Sequence, residues 1–187
     1  MTVEPGARER ILGAAEELFA AAGFDATPTS RIAERAGVPK GLVHYYFTRK
    51  RDLLAALVER LPADHVDPAS VVVPGDVAAS LHRLVDVLDR DLDASAVLSH
   101  LLWREADTHP AVLDELQARF ERLAASIRAV IEAARPDGPA ADVDSAAHLL
   151  ASAVSYRHSV SRHTDDQQAM HRELRFLADA LAAGAGA

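Results

Sequence analysis

The segment from Thr27 to Phe47 has the residue types and spacing best suited to a chemical task. It reads TPTSRIAERAGVPKGLVHYYF, two short stretches of helically spaced apolar residues on either side of Gly37. Two helices joined by a short turn that contains glycine are typical of the helix-turn-helix arrangement. The second helix of such a pair presents its first residues to base edges in the major groove of DNA. The chemistry expected here is therefore hydrogen bonding and charge attraction to double-stranded DNA.

Basic side chains gather around this segment, although the chain as a whole is acidic. The 187 residues carry a formal net charge of −8, yet residues 1–60 hold nine basic and eight acidic side chains, and residues 61–187 hold eleven and twenty. Between residues 31 and 51 the single acid Glu34 stands among the basic residues Arg31, Arg35, Lys40, Arg49, Lys50 and Arg51. A local basic patch can contact phosphate while an acidic remainder limits non-specific binding. This distribution argues against a nucleoid-type binder without sequence preference.

The sequence lacks the patterns that are typical of enzymes and of metal sites. There is no cysteine, which excludes disulfides, thiolate zinc sites and cysteine nucleophiles. His158, His163 and His171 are not spaced to stack three ligands on one helical turn. A nucleophile elbow, a glycine-rich phosphate loop and an HExxH sequence are also absent. We therefore expect no catalysis, no metal and no cofactor.

The sequence gives no sign of a membrane segment or a secretion signal. It contains no run of about 18 apolar residues, the length that a membrane-spanning helix needs. The first 15 residues include Glu4, Glu9 and two arginines without an apolar stretch, unlike a signal peptide. A cytoplasmic protein that makes no contact with a membrane is expected.

The elements that must position the basic segment are predicted to be helices. Apolar residues recur every three or four positions along almost the whole chain, and the alternation typical of strands is missing. A first helix is expected to end at Gly23, and a second at Gly37. Thr27 is expected to be the N-cap of the second helix, followed by a proline in its first turn. A third helix should end near Phe47 and a fourth should begin near Lys50.

The chain is predicted to consist of a small head, a linker and a larger helical body. Prolines and a glycine cluster in residues 62–75, which marks the boundary. The head is expected to span residues 1–61, including the fourth helix as connector, and the body residues 76–187. The predicted fold class is all-α, with a three-helix helix-turn-helix head, a C-terminal helical bundle and about nine helices in total.

The stretch from Arg10 to Leu54 resembles the DNA-binding head of the TetR/AcrR family of transcriptional regulators. The matching features are ILGAAEELFAAAGFDAT, RIAERAGVPKGLVHYYF and KRDLL at the start of the fourth helix. The remainder of the chain is similar to the family in size and helix count only. The resemblance implies that the DNA-binding residues are Thr27, Pro39, Lys40, Gly41, Leu42, His44, Tyr45, Tyr46 and Lys50.

The resemblance also implies roles for individual residues of the third helix. Lys40 would donate to phosphate or to guanine acceptors, and Gly41 would let the backbone approach the DNA closely. Tyr46 would lie against a phosphate. Two positions depart from the family pattern: Pro39 stands where a small hydroxyl residue is common, and His44-Tyr45 reverses a frequent order.

A member of this family is expected to be a ligand-responsive repressor that binds a palindromic operator as a homodimer. Its effector would be a small molecule that the sequence does not identify, bound by the body. Two alternatives remain open. The chain could be a helical small-molecule-binding protein or enzyme with a non-functional DNA-binding head, or a regulator controlled by a partner protein.

Two sets of body residues are candidates for ligand binding and for dimerisation. Large or polar residues in apolar surroundings suggest a ligand pocket formed by His100, Trp103, Arg104, Phe120, His148, Ser152 and Tyr156. The last two helices of two copies could form a four-helix bundle that buries Leu149, Leu150, Val154, Met170, Leu174, Leu177 and Leu181. For both sets, packing within the chain's own core is the open alternative.

Overall fold

The computed structural model describes residues 6–62, 66–93, 95–135, 140–160 and 167–183. Within these ranges the chain forms helices and no β-strand, which confirms the all-α prediction. The described helices are α1 (Ala7–Ala22), α2 (Thr29–Arg35), α3 (Lys40–Tyr46), α4 (Lys50–Val58), α5 (Pro68–Val71), α6 (Val77–Asp93), α7 (Ala96–Ala106), α8 (Pro110–Ala134), α9 (Ala140–Val160) and α10 (Gln167–Ala183). None of them is both long enough and apolar enough to cross a bilayer.

The short helix α5 lies within the predicted linker and accounts for one helix beyond the expected nine. The Asp67 carboxylate accepts a hydrogen bond from the Ala69 N–H at 3.0 Å, and Pro68 occupies the first turn. An aspartate followed by proline is a common way to start a helix. On either side of α5 the backbone is also anchored, since Val66 donates to the Ser126 hydroxyl at 3.0 Å and Val73 to the Ser80 hydroxyl at 2.8 Å.

The helices form two compact units, and the first contains the predicted head. It comprises the chain up to Leu61 together with residues 97–116, which belong to α7 and the start of α8. Its core includes Ile11, Leu12, Phe19, Ile32, Val43, Phe47, Leu53, Leu54, Leu57, Leu98, Leu101, Leu102, Val112 and Leu116. In α7, Leu98, Leu101 and Leu102 recur with helical spacing and place one face of this helix in the core. Residues 97–116 thus share a core with the helix-turn-helix.

The second unit is a helical bundle built from residues 62–96 and from residue 117 to the C-terminus. Helices α6, α8, α9 and α10 each contribute an apolar face to its core. The largest of its buried side chains are Leu81, Leu84, Leu88, Leu123, Ile127, Ile131, Leu150, Met170, Leu174, Leu177 and Leu181. Helix α10 packs on both α6 and α9.

Candidate nucleic-acid interface

The turn between α2 and α3 has the geometry of a helix-turn-helix. Gly37 follows the last turn of α2 with a φ of 63°, a left-handed conformation that glycine adopts at little cost. The Val38 N–H donates to the Ala33 carbonyl at 3.0 Å, and the Gly37 N–H donates to the Glu34 carbonyl at 3.1 Å. These two bonds are those of a Schellman motif, which ends a helix sharply. The predicted glycine turn is confirmed.

Helix α3 is fixed by its inner face and exposes its outer face. Val43 and Phe47 are buried in the core of the first unit, and their spacing of four residues places them on the same side of the helix. Leu42 is half-buried at the edge of that side. The exposed residues are Pro39, Lys40, Gly41, His44, Tyr45 and Tyr46. The helix therefore presents a mostly polar surface from a rigid support.

Two tyrosines at the end of α3 expose large aromatic rings. Tyr45 is 77% exposed and Tyr46 is 41% exposed. Their ring centroids lie 5.1 Å apart in an edge-to-face arrangement, and the Tyr46 ring lies 6.5 Å from the ring of buried Phe47. Tyrosine hydroxyls are common donors to phosphate oxygens, and the exposure of both phenols leaves them available for that role. Tyr46 is the more restrained of the two.

Lys50 is held at the start of α4 by an aromatic neighbour. Its ammonium nitrogen lies 4.4 Å from the ring centroid of Phe24 and donates to the Asp25 carbonyl at 3.2 Å. The same ring meets the edge of the His109 ring, with centroids 4.5 Å apart. An ammonium group has three donors, so Lys50 can keep these contacts and still donate to a phosphate.

Thr27 lies in the core of the head and not at the N-cap of α2, which corrects the prediction for this residue. Its side chain is fully buried and its hydroxyl donates to the Gly23 carbonyl at 2.8 Å. Pro28 occupies the N-cap position and α2 begins at Thr29. A buried hydroxyl needs a hydrogen-bond partner, and the carbonyl at the end of α1 supplies it. The side chain of Thr27 is therefore not part of the exposed surface of the head.

The arginines around α3 extend the basic surface beyond the nine residues implied by the resemblance. Arg31, Arg49 and Arg51 are exposed. Arg35 forms an ion pair with Glu17 at 2.6 Å, and both side chains are 57% exposed. Because such exposed pairs contribute little free energy, Arg35 can exchange its carboxylate for a phosphate at low cost.

Three of the residues predicted to line a ligand pocket belong to the first unit. His100, Trp103 and Arg104 are exposed residues of α7. Leu101 and Leu102, next to them in sequence, are the residues of this turn that enter the core. Large and polar residues among leucines therefore mark the outer face of α7 here, as expected for an amphipathic helix.

The other four predicted pocket residues belong to the second unit. Phe120 packs against its core, and its ring centroid lies 6.2 Å from that of His148. Ser152 and Tyr156 are exposed, and the Ser152 hydroxyl donates to the His148 carbonyl of its own helix at 2.8 Å. Ser152 and Tyr156 thus belong to the outer face of α9.

Six of the seven residues predicted at a dimer interface are buried within the second unit, which corrects that set. They are Leu150, Val154, Met170, Leu174, Leu177 and Leu181. Only Leu149 is exposed, at 61%, because neighbouring residues of a helix point about 100° apart. Among the described residues of these two helices, the large apolar side chains that are exposed are Leu149 and Tyr156 on α9 and Phe176 on α10.

A cavity of about 390 Å³ in the second unit is lined by residues that the sequence analysis did not select as a pocket. It lies among α6, α9 and α10, and its lining residues are His82, Val85, Asp86, Asp89, Arg90, Arg157, Met170, His171 and Leu174. The lining residues on α6 recur with helical spacing. Polar residues on one face of an amphipathic helix normally face solvent, so the sequence pattern did not indicate a cavity there. The packing of α10 against α6 places them around one cavity that is open to solvent at Asp86, Arg90 and His171.

Of the three histidines weighed as metal ligands, His171 is the one whose side chain is among the described residues. The His158 side chain and the whole of His163 lie outside the described residues, and His171 lines the cavity. Among the described residues there is no group of three or more histidine or acidic side chains that could hold a metal ion.

The sequence of the head is similar to known bacterial regulators. Residues 11–57 match the family model described as bacterial regulatory proteins, tetR family. The chain is 38% identical over 58 residues to the HTH-type transcriptional regulator TtgR of Pseudomonas putida, a match that covers 31% of this chain and 28% of that protein. It is 28% identical over 106 residues to the fatty acid metabolism regulator protein of Bacillus subtilis, covering 52% and 53%. These matches span between about a quarter and about half of the relatives' own length.

The similarity of fold extends over nearly the whole chain. The structure of Salmonella enterica GusR matches with a TM-score of 0.69 and 25% identity, covering 95% of this chain and 98% of that one. A TetR-like transcriptional regulator from Rhodococcus sp. RHA1 matches with a TM-score of 0.65 and 24% identity, covering 98% and 100%. The second likeness shows a shared fold only.

Proposed function

We propose that the chain is a TetR-family DNA-binding transcriptional regulator, which the match of residues 11–57 to the family model supports. In the proposed mechanism a homodimer binds a palindromic operator and represses transcription. A small-molecule effector bound by the second unit then lowers the affinity for the operator.

The exposed outer face of α3 is the observation that carries this proposal. Lys40, His44 and Tyr45 are exposed on α3, while the buried side chains of Val43 and Phe47 fix the helix in the core. A recognition helix needs both features, because base edges are read only by side chains that protrude from a rigid support. Lys40 can donate to guanine acceptors, and the exposed His44 and Tyr45 follow about one turn further along the helix.

Phosphate contacts from the flanks of α3 would set its position in the groove. Tyr46 at the end of the helix and Lys50 at the start of α4 are the proposed positioning residues, together with the exposed Arg31, Arg49 and Arg51. Such contacts orient a protein on DNA without reading its sequence. They also make affinity fall as salt rises, because each neutralised phosphate releases counterions.

Dimerisation is proposed through the outer faces of α9 and α10. Leu149, Tyr156 and Phe176 are 61%, 64% and 70% exposed. Residues 149, 152 and 156 follow one another at helical spacing, so Leu149, Ser152 and Tyr156 form one stripe along α9. A second copy is the occupant that we propose, since helix-turn-helix proteins bind two-fold symmetric half-sites as dimers. Two pairs of these helices would form a four-helix bundle.

Control by an effector requires two states with different affinities for the operator. An effector lowers DNA affinity only if it binds more tightly to the state in which the heads do not match the half-sites. The cavity among α6, α9 and α10 is the site that we propose for it.

We expect no catalytic turnover, and we place the protein in the cytoplasm. The curated relatives that it matches are named as regulators, and a regulator of transcription acts where the bacterial chromosome lies. The alternative of a small-molecule-binding protein or enzyme with an inactive head predicts negligible DNA binding that does not depend on salt.

The proposal is tested by fluorescence anisotropy with a labelled duplex from the region upstream of the protein's own gene. A duplex of the same composition in scrambled order is the control. The upstream duplex should bind at least about 1,000-fold more tightly than the scrambled one at physiological salt. Equal affinity for both duplexes at every salt concentration would overturn the proposal, and negligible binding of both that does not depend on salt would favour the alternative.

A further inference from the structure

The cavity of the second unit is lined by apolar side chains and by two imidazole rings. Val85, Met170 and Leu174 are buried lining residues. The rings of His82 on α6 and His171 on α10 lie with their centroids 4.8 Å apart and their planes inclined by 44°. Aromatic and aliphatic surfaces of this kind can pack against the aromatic or aliphatic part of a small molecule.

The charges that line the cavity cancel one another among the described residues. Asp89 forms an ion pair with Arg157, and both side chains are largely buried. Asp86 and Arg90 lie one helical turn apart on α6, and the Arg90 Nε donates to the Asp86 carbonyl at 3.0 Å. Among the described lining residues, the two carboxylates and the two guanidinium groups are equal in number. An ion entering the cavity would therefore lose water and meet charges of both signs, with no net opposite charge from these residues to compensate.

The polar groups of the cavity can nevertheless hold a neutral ligand in one orientation. His82 Nδ1 lies 2.7 Å from the Ala78 carbonyl, and a carbonyl can only accept, so this nitrogen carries the proton. In the neutral ring His82 Nε2 is then an acceptor. Arg157 uses part of its five-donor guanidinium on Asp89 and keeps others. The cavity thus offers both acceptors and donors.

We propose that this cavity binds an uncharged small molecule with an apolar ring or chain and at least one hydrogen-bonding group. Its volume of about 390 Å³ lies at the lower end of the range for ligand pockets, which favours a molecule of one or two rings. The inference deepens the proposed function, because it gives the effector a site and a chemical class.

The experiment compares three probes of nearly equal shape and different charge: benzamide, benzoate and benzamidinium. The full-length protein is labelled at histidine with ¹³C and ¹⁵N, and the imidazole signals are followed by NMR during titration to about 10 mM. Benzamide should shift the signals of His82 and His171 and bind at least about fivefold more tightly than either ion. Preferential binding of an ion would overturn the proposal, and so would the absence of shifts at these two histidines.

Three variants test the position of the site and its preference for uncharged ligands. His171→Ala should weaken benzamide binding about fivefold by removing a ring contact, whereas His100→Ala, at an exposed histidine of α7, should leave it unchanged. Asp86→Lys should raise the affinity for benzoate above that for benzamide, because it leaves unpaired positive charge at the cavity. Equal losses in the two alanine variants would contradict the site, and an unchanged order of probes in Asp86→Lys would contradict the charge rule.

This test and the test of DNA binding fail independently. A protein that does not bind its upstream DNA can still show the benzamide response, which would leave the cavity assigned and the regulator rejected. A protein that binds DNA but does not respond to benzamide at His82 and His171 remains a regulator without this effector site.

Discussion

The guanidinium of Arg104 in α7 donates a hydrogen bond to the backbone carbonyl of Phe19 in α1 at 3.0 Å. The same carbonyl accepts the N–H of Gly23 at the end of α1. Arg104 also lies 3.3 Å from the carboxylate of Glu105, which is buried. A residue 85 positions away in sequence thus supplies a second hydrogen bond at the end of α1.

Arg104→Ala should therefore destabilise the first unit. We expect the free energy of unfolding to fall by about 1 kcal/mol, since a charged hydrogen bond to a carbonyl is lost at a half-exposed site. Urea unfolding followed by circular dichroism measures this change. Arg83→Ala, at an exposed arginine of α6, is the control and should change stability by less than about 0.5 kcal/mol. Equal effects would mean that the Arg104 bond has no energetic role.

Two glycines should respond to alanine in opposite directions. Gly37→Ala should cost about 1 kcal/mol, because its φ of 63° disfavours any residue with a Cβ. Gly13→Ala should gain about 0.5–1 kcal/mol, since Gly13 is inside α1 and an added Cβ meets nothing within 4 Å. Both changes are read from chemical denaturation midpoints. A stabilising Gly37→Ala would contradict the described turn.

Gly41→Ala should separate stability from DNA binding. Gly41 is exposed in α3, and an added Cβ meets no protein atom within 4 Å, so the helix should gain about 0.5–1 kcal/mol. If the backbone of α3 approaches DNA closely, the new methyl group should weaken operator binding about tenfold. Denaturation and anisotropy measure the two effects on one sample. Unchanged affinity would show that this part of α3 stays away from the duplex.

Lys40→Ala should weaken DNA binding more than a matched loss of charge elsewhere. The expected loss for the upstream duplex is about tenfold, with a decrease of about 1 in the slope of log affinity against log salt if Lys40 contacts a phosphate. Tyr46→Phe should weaken binding two- to threefold, because it removes only one hydroxyl contact. Arg83→Ala removes the same charge from the second unit and should leave affinity nearly unchanged. Unaltered binding by both head variants would overturn the assignment of α3.

Phe176→Arg should convert the proposed dimer into a monomer. A charge on an exposed apolar residue of α10 would be buried without a partner in the four-helix bundle, while the fold of the single chain should tolerate it. Sedimentation velocity at about 10 μM detects the change in mass. Val97→Arg, at an exposed apolar residue of α7, is the control and should remain dimeric. If both variants sediment like the unaltered protein, pairing does not use α10.

The helices of the head could be predicted from sequence because local signals agree there. Apolar spacing located α1 to α4, and Gly37 marked the turn for a conformational reason that operates within a few residues. Thr27 shows where local rules fail: a threonine before a proline fits an N-cap, but its hydroxyl is buried against the Gly23 carbonyl. Burial depends on how α1 and α2 pack, which the order of residues alone does not specify.

The sites of the body could not be predicted to the same extent. Leu149 and Leu150 are equally apolar, yet one is exposed and the other is in the core, so composition does not tell a dimer face from a core face. His82 and His171 are 89 positions apart in the chain and meet only because α10 packs on α6. A pocket formed by such distant residues carries no motif that a single sequence can reveal.

The participation of residues 97–116 in the first unit has a practical consequence for dissecting or recombining this protein. A fragment cut at Leu61 would lack the leucines of α7 and Val112 and Leu116 of α8, leaving one wall of its core open to water. A chimaera that joins this DNA-binding unit to another ligand-binding domain should therefore include both the segment up to Leu61 and residues 97–116. A boundary placed at residue 61 would separate two segments that fold as one unit.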